Sequence, residues 1–237
     1  NQSIGNSMSA NSHVSDGLVA APWQNGNLTS HGRSATMIDD AAKYGDKGGK
    51  EDWENFYYQS GNERNEALKK YPESTVEIMN NALMKTQNPE KIKALYPGLL
   101  ELNHQFGRTK EQLAEKGKIL FDHLKPPQLS LEECVECVRF RTICETWNGI
   151  VIREQQTLKT LEKQFPNLVF KKVDGTFDHK YAVDFEVVSN NKLVCGIQVK
   201  PVSYSYNQPY LQKAKRANFQ KNQQYTCLLY TSPSPRD

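Results

Sequence analysis

The sequence predicts an α/β protein in which a helical N-terminal region precedes a small sheet framed by helices. Two observations carry that expectation. Apolar periodic segments with helix-start and proline signals recur from residue 51 to residue 165. Beyond them, Tyr181 to Val188 (YAVDFEVV) and Leu193 to Lys200 (LVCGIQVK) are β-branched, aromatic or apolar at most positions, and Ser189, Asn190, Asn191 and Lys192 between them supply turn chemistry.

Residues 1–50 form a polar segment, rich in Ser, Asn and Gly to about Ala35. A disordered arm and irregular packing are both open there, and His13, His31 and Arg33 read as surface polar groups. Residues 51–127 read as a helical region. Glu51 to Tyr58 (EDWENFYY) packs as a helical turn, and Glu73 to Thr86 and Pro89 to Leu95 are helices, with Pro89 suited to a first turn. Thr109 to Leu124 is a further helix with Leu113, Ile119, Leu120 and Leu124 as its apolar face. Pro126-Pro127 marks the boundary with an α/β core over 128–226. Ser130 with Glu133 is a capping-box pair that opens a helix at Leu131 running to Trp147, where Asn148-Gly149 kinks or ends it. Ile150 to Phe165 follows, stopped by Pro166-Asn167. Leu168 to Val173 is a strand, Asp174-Gly175 a turn, and Gln208 to Asn222 a basic helix with Tyr210, Leu211, Ala214, Ala217 and Phe219 as apolar positions.

The hairpin carries the chemistry. A three-residue loop, Asn190 to Lys192, pairs Ser189 with Leu193, and counting back sets Asp184 directly opposite Gln198. Side chains alternate faces with period two, so Asp184, Glu186, Gln198 and Lys200 project from one face. A carboxylate, a second acidic or amide oxygen and a lysine so grouped suit a hard divalent cation beside an activated water. That is the working end of a metal-dependent phosphodiesterase.

The aspartate at Asp184 with the triplet Gln198-Val199-Lys200 resembles the PD-(D/E)xK nuclease superfamily, in a QxK variant. Val183 stands where the proline would be. Gln198 replaces the second acid, so the site loses one negative charge, which Glu186 or a glutamate from elsewhere would restore. Thr146 to Glu162 (TWNGIVIREQQTLKTLE), the hairpin and Gly196 to Pro201 together resemble MjaI-type type II restriction endonucleases, over Leu129 to Thr226. The resemblance implies a restriction-endonuclease-like core, a mixed sheet flanked by helices, with a further strand beginning at Gln224-Tyr225-Thr226. It implies that Glu154, in preference to Glu145, is the glutamate from the helix before the hairpin. Asp184, Gln198, Glu154 and Glu186 are then the Mg²⁺ ligands, and Lys200 orients or deprotonates the attacking water or neutralises the transition state. The implied activity is hydrolysis of phosphodiester bonds at a short specific site in double-stranded DNA, by a homodimer with a cognate DNA methyltransferase. A repair or junction-resolving nuclease on the same core, and a non-catalytic DNA-binding protein with a degenerate site, remain open alternatives.

A net charge of +3 is too small to argue for a nucleic-acid partner, but its distribution says more. From Lys200 to Thr226 the chain carries Lys200, Lys213, Lys215, Arg216 and Lys221 and no acid. Beside a nuclease hairpin, Lys213, Lys215, Arg216 and Lys221 are candidates to contact phosphates, a solvated helix face being the other reading. Tyr204, Tyr206 and Tyr210 either stack on sugar or base or pack beneath that helix. Cys134-Val135-Glu136-Cys137 lies at helical spacing with Cys144 one heptad on, which fits face packing better than a zinc site. Cys195 reads as a small core residue, and Asp178-His179 as a turn in preference to an accessory ligand pair. No apolar stretch nears the ~20 residues of a membrane span and no signal-peptide pattern is present; with reduced cysteines, the expected location is cytoplasmic. Cys227 to Asp237 (CLLYTSPSPRD) reads as a translated sequencing adapter and not as native protein, and the start at Asn1 without methionine reads as a fragment. The C-terminal core strand is therefore expected to be truncated.

Overall fold

The computed structural model describes residues 35–81, 89–124, 129–205 and 209–231. His13, His31, Arg33, Pro126-Pro127 and Tyr206 lie outside them. The chain divides between Asn148 and Gly149 into two units.

In the first unit, α1 (Ala35–Lys47) leads to α2 (Lys50–Leu68), which has 19 residues where the sequence predicts only a turn. Asp52 opens α2 by accepting from the Gly49 N–H at 2.7 Å. Its buried stripe is Trp53, Tyr57, Ser60, Gly61, Arg64 and Leu68, a helical period written partly in polar letters. α3 (Glu73–Asn80), α4 (Pro89–Leu95) and α5 (Leu102–Gln105) follow, with Leu68, Met79, Ile92 and Leu99 packed into one cluster. α6 (Lys110–His123) and α7 (Leu131–Arg139) each begin with a capping box, Thr109 with Gln112 and, as the sequence predicts, Ser130 with Glu133. The two helices approach at Gly117, where an added Cβ would lie 2.6 Å from the Val135 side chain.

Polar groups complete this interior. Arg64 donates to Asn80 Oδ1 (2.6 Å), the Met79 carbonyl (2.6 Å) and Asn103 Oδ1 (2.7 Å). Arg108 donates to the same Asn103 Oδ1 at 2.8 Å and to the Phe106 and Gly107 carbonyls. Cys134, Cys137 and Cys144 are all buried. Burial pushes the Cys134 thiol up to about 11 and the Cys137 thiol up to about 12, so they pack as neutral apolar groups.

Past α7 the helical geometry changes. Phe140–Cys144 is π-helical, Glu145–Trp147 returns to α (α8), and Asn148–Glu154 is π-helical again. Thr142 Oγ1 donates to the Val138 carbonyl at 2.8 Å, and Thr146 Oγ1 donates to the Thr142 carbonyl at 3.0 Å. Asn148-Gly149 thus begins the second π-helical segment and does not end the helix.

The second unit continues with α9 (Gln155–Gln164), β1 (Val169–Lys172), α10 (Gly175–Tyr181), β2 (Phe185–Ser189), β3 (Lys192–Ile197), a 3₁₀ turn (Val202–Ser205) and α11 (Pro209–Thr231). The sheet has the order β1-β2-β3, antiparallel throughout. Among the described residues the mixed sheet expected from the resemblance is therefore not formed. Gln224-Tyr225-Thr226 lies inside α11 and does not begin a strand.

Three local corrections shape the site. Asp174-Gly175 does not turn; Asp174 caps α10 by accepting from the Phe177 N–H at 2.8 Å. α10 ends at Ala182 with φ 54° and ψ 47°, which delays the predicted strand from Tyr181 to Phe185. The hairpin turn has two residues, Asn190 (φ 49°) and Asn191 (φ 60°), and pairs Ser189 with Lys192. A bulge at Val194 then restores the expected count, so Val187 faces Cys195 and Phe185 faces Ile197. Cys195 is exposed, contrary to its reading as a core residue.

α11 turns a different face inward from the one its apolar letters predict. Phe219 is 63% exposed and Ala214 and Ala217 are exposed, while Leu211, Lys215, Asn218 and Asn222 are half-buried and Tyr225 is buried. The partners are polar: Asn218 donates to Tyr204 Oη at 2.9 Å, and the Asn222 amide, turned nitrogen inward, reaches the Tyr181 and Ala182 carbonyls at 2.8 and 3.1 Å. Tyr225 packs edge-on against Phe177 and at a tilt against Tyr181, each at 6.0 Å between centroids. Its ring lies over Gly196, where a Cβ would come within 2.7 Å.

Candidate active site

Asp184 stands where α10 hands the chain to β2, and it is 6% exposed. Its backbone is fixed on both sides: its N–H donates to the Ile197 carbonyl at 2.8 Å and its carbonyl accepts from the Val173 N–H at 3.2 Å. Asp184 and Gln198 therefore lie one position past the last ladder pair, on the extension of the predicted register. The Asp184 carboxylate (Oδ2) accepts from the Val199 N–H, which ties the aspartate directly to the Gln198-Val199-Lys200 triplet.

Around that carboxylate the structure gathers charges from three elements and from the segment that follows β3. Glu154, at the end of the second π-helical segment, accepts from Lys172 Nζ of β1 at 3.2 Å. Burial first, then the Asp184 charge, raises the Glu154 carboxyl, against the pull of Lys172 and Lys200. Burial likewise raises Asp184, opposed by the Val199 N–H and by Lys200 and Lys172. Asp178 of α10 lies within electrostatic reach of Asp184. Burial first, then the Asp184 charge, raises the Asp178 carboxyl well above the usual carboxylate range, and the two carboxyls titrate as a pair.

The remaining predicted residues are placed differently. Glu186, half-buried on β2, accepts from Tyr225 Oη at 3.1 Å. Gln198 is half-buried and Lys200 exposed, with Lys200 Nζ 5.7 Å from the Tyr204 ring centroid. Lys215 Nζ lies 5.6 Å from the same ring, so Tyr204 joins the triplet end of the hairpin to α11. On α11, Lys213 and Arg216 are exposed and Lys215 and Lys221 half-buried. The side chain of Tyr210 lies outside the described residues, and Glu145 belongs to the first unit.

Lys172 carries no motif signal. Asp178-His179, read in the sequence as a turn in preference to an accessory ligand pair, lies on α10 and is not a turn. The helix-cap spacing from Asp174 to Phe177 is the available sign that Asp178 stands on a helix.

Chemically, the arrangement is one buried carboxylate, Asp184, with half-buried carboxylates and ammonium groups around it. Among the described residues, no three His, Cys, Asp or Glu side chains gather into a group that could hold a metal ion. No helix among them is long and apolar enough to cross a membrane. A protein-family model described as MjaI restriction endonuclease matches residues 19–234. Neither the curated proteins nor the solved structures contain a match to the chain.

Proposed function

The chain belongs to the MjaI restriction endonuclease family, and on that premise we propose that it is a type II restriction endonuclease, hydrolysing phosphodiester bonds at a short specific site in double-stranded DNA. The observation that carries this reading is the bond from the Val199 N–H to the Asp184 carboxylate. It locks the two halves of the nuclease motif together and leaves Lys200 and Glu154 within electrostatic reach of Asp184.

Hard oxygen donors are what Mg²⁺ takes, and a Mg²⁺ site normally uses one or two carboxylates and keeps several waters. The donors present fit that demand without forming a closed cage: Asp184 and Glu154, with the Gln198 carbonyl, would hold the ion. When bound, it supplies charge stabilisation at the phosphate and lowers the pKa of a coordinated water. The chain's own residues account for the rest. Asp184 is held still by backbone bonds, so its carboxylate is oriented before substrate arrives. The exposed Lys200 ammonium orients the attacking water or neutralises charge growing on the scissile phosphate. Lys213 and Arg216, with the half-buried Lys215 and Lys221, contact backbone phosphates along α11. A palindromic site is met by a homodimer, since two-fold symmetry in DNA calls for two-fold symmetry in protein. A cognate DNA methyltransferase protects host DNA from the same activity.

Digestion of unmethylated linear duplex DNA with Mg²⁺, with EDTA, and with Lys200→Ala tests the reading. Discrete fragments are expected only with Mg²⁺, and the variant is expected to lose about 10²–10³-fold in rate. Cutting confined to branched or damaged DNA would point to a repair or junction-resolving nuclease. DNA binding without cutting, unchanged by Asp184→Ala, would mark a degenerate site, for which Gln198 is the favouring feature.

A further inference from the structure

Lys200 is exposed and carries its ammonium on a flexible four-carbon stem, yet a group that orients water or meets a phosphate has to be held in place. The chain that follows supplies the hold. Pro201 leads directly into the 3₁₀ turn Val202–Ser205, and there the Tyr204 N–H donates to the Pro201 carbonyl at 2.9 Å. The turn folds residue 204 back, and the Lys200 ammonium lies over its ring, 5.7 Å from the centroid. That is within the range at which an aromatic face attracts a cation. The ring is itself anchored, because Asn218 Nδ2 of α11 donates to Tyr204 Oη at 2.9 Å. One turn further along α11, Asn222 reaches the Tyr181 and Ala182 carbonyls, and one turn beyond that the Tyr225 ring lies over Gly196. These contacts fix the face that α11 turns inward, and so fix Asn218. A second ammonium, that of Lys215 on α11, lies 5.6 Å from the same centroid.

We propose that Tyr204 is a positioning residue for Lys200: its ring, anchored to α11 by Asn218, holds the ammonium next to Val199, whose N–H binds the Asp184 carboxylate. The inference rests on the nuclease reading above and adds to it a residue outside the motif. An aromatic face suits the task because it attracts a cation and leaves its charge in place. A carboxylate there would form a charge-assisted bond with Lys200 and compete with the phosphate for it. The ring attracts the ammonium more weakly than a phosphate oxygen does, so Lys200 is held before DNA arrives and yields to it afterwards. Because Lys215 shares the ring, the motif lysine and a lysine of the basic helix stand on one support.

The ring contact and its effect on cleavage are measured separately. In ¹H–¹³C NMR spectra of the full chain, the Lys200 ε-methylene signal, assigned by its loss in Lys200→Arg, is expected to be displaced by the ring current of Tyr204. The displacement should persist in Tyr204→Phe, which keeps the ring, and vanish in Tyr204→Leu. In single-turnover cleavage of unmethylated duplex DNA with Mg²⁺, Tyr204→Leu is expected to lose about 10-fold in rate. Tyr204→Phe should recover most of that loss. Added to Lys200→Ala, Tyr204→Leu should lower the rate no further, because both changes remove the same held ammonium. A purely structural tyrosine would instead lower it equally in both backgrounds. A Lys200 signal that does not move in Tyr204→Leu, a Tyr204→Leu chain that cuts like the wild type, or a full further loss in the Lys200→Ala background would overturn the inference and leave the nuclease reading intact. A wild-type chain that cuts no duplex would overturn the nuclease reading, and the part of Tyr204 in it.

Discussion

Lys116 shows how far a single residue can depart from its usual surroundings. It is 3% exposed on α6, on a face that apolar periodicity assigns to leucines. Burial first, then repulsion from Arg108, pushes its ammonium down to about 7. Unfolding returns it to the ordinary lysine pKa, about 10.4, so above pH ~7 the unfolded chain binds a proton that the folded chain releases. Stability from this group is full above the unfolded value and is lost as pH falls through the folded one. Urea unfolding followed by tryptophan fluorescence should therefore show stability rising between pH ~7 and ~8.5, below the ordinary cysteine range. Lys116→Met should flatten the rise; a variant that keeps it would remove Lys116 as the cause. The candidate site differs in legibility. The register that sets Asp184 beside Gln198 was readable because strand alternation acts over a few residues. That Lys172 pairs with Glu154, and that Asp178 stands on a helix and not in a turn, was not, because both depend on how β1 and α10 form.

At the scale of elements, close backbone approach explains much of what the letters conceal. Gly61 of α2 faces the loop that buries Arg108: a Cβ there would lie 2.3 Å from the Arg108 carbonyl carbon. The loop is tied to the same helix by the Gly107 N–H, which donates to Ser60 Oγ at 3.0 Å. Gly61→Ala is thus expected to destabilise the protein by about 1–3 kcal/mol through overpacking. Gly149→Ala is the contrast, since its nearest neighbour would be 3.8 Å away; a helical alanine there should stabilise by up to about 1 kcal/mol. Thermal melts of the two variants check the pair, and equal shifts would contradict the packing argument. The capping boxes of α6 and α7 are local, and the Ser130–Glu133 pair was predicted from four residues of sequence. The length of α2 was hidden because Ser60, Gly61 and Arg64 occupy its buried stripe. The π-helical turns at Phe140 and Asn148 were invisible for a related reason. A π turn closes i to i+5, so counting in steps of 3.6 from Leu131 misassigns the faces that follow.

For the molecule as a whole, charge placement matters more than the net +3. Lys213 and Arg216 are exposed on a stretch without an acid. Replacing both by Ala should weaken duplex binding and make the slope of log K against log salt shallower by about 0.9 for each phosphate no longer neutralised. Filter binding at several salt concentrations measures this, and an unchanged slope would place the DNA elsewhere. The bulge at Val194 has a consequence for how such a chain can change over generations. Val194 is the extra residue between the Val188–Leu193 and Val187–Cys195 pairs, so its deletion would leave every pair in place, with Asp184 still opposite Gln198. Deleting the paired Leu193 instead would be absorbed by drawing Val194 into the ladder in its place. The bulge thus holds one residue of slack, and the register at the triplet should outlast the loss of a single residue from this arm of the hairpin.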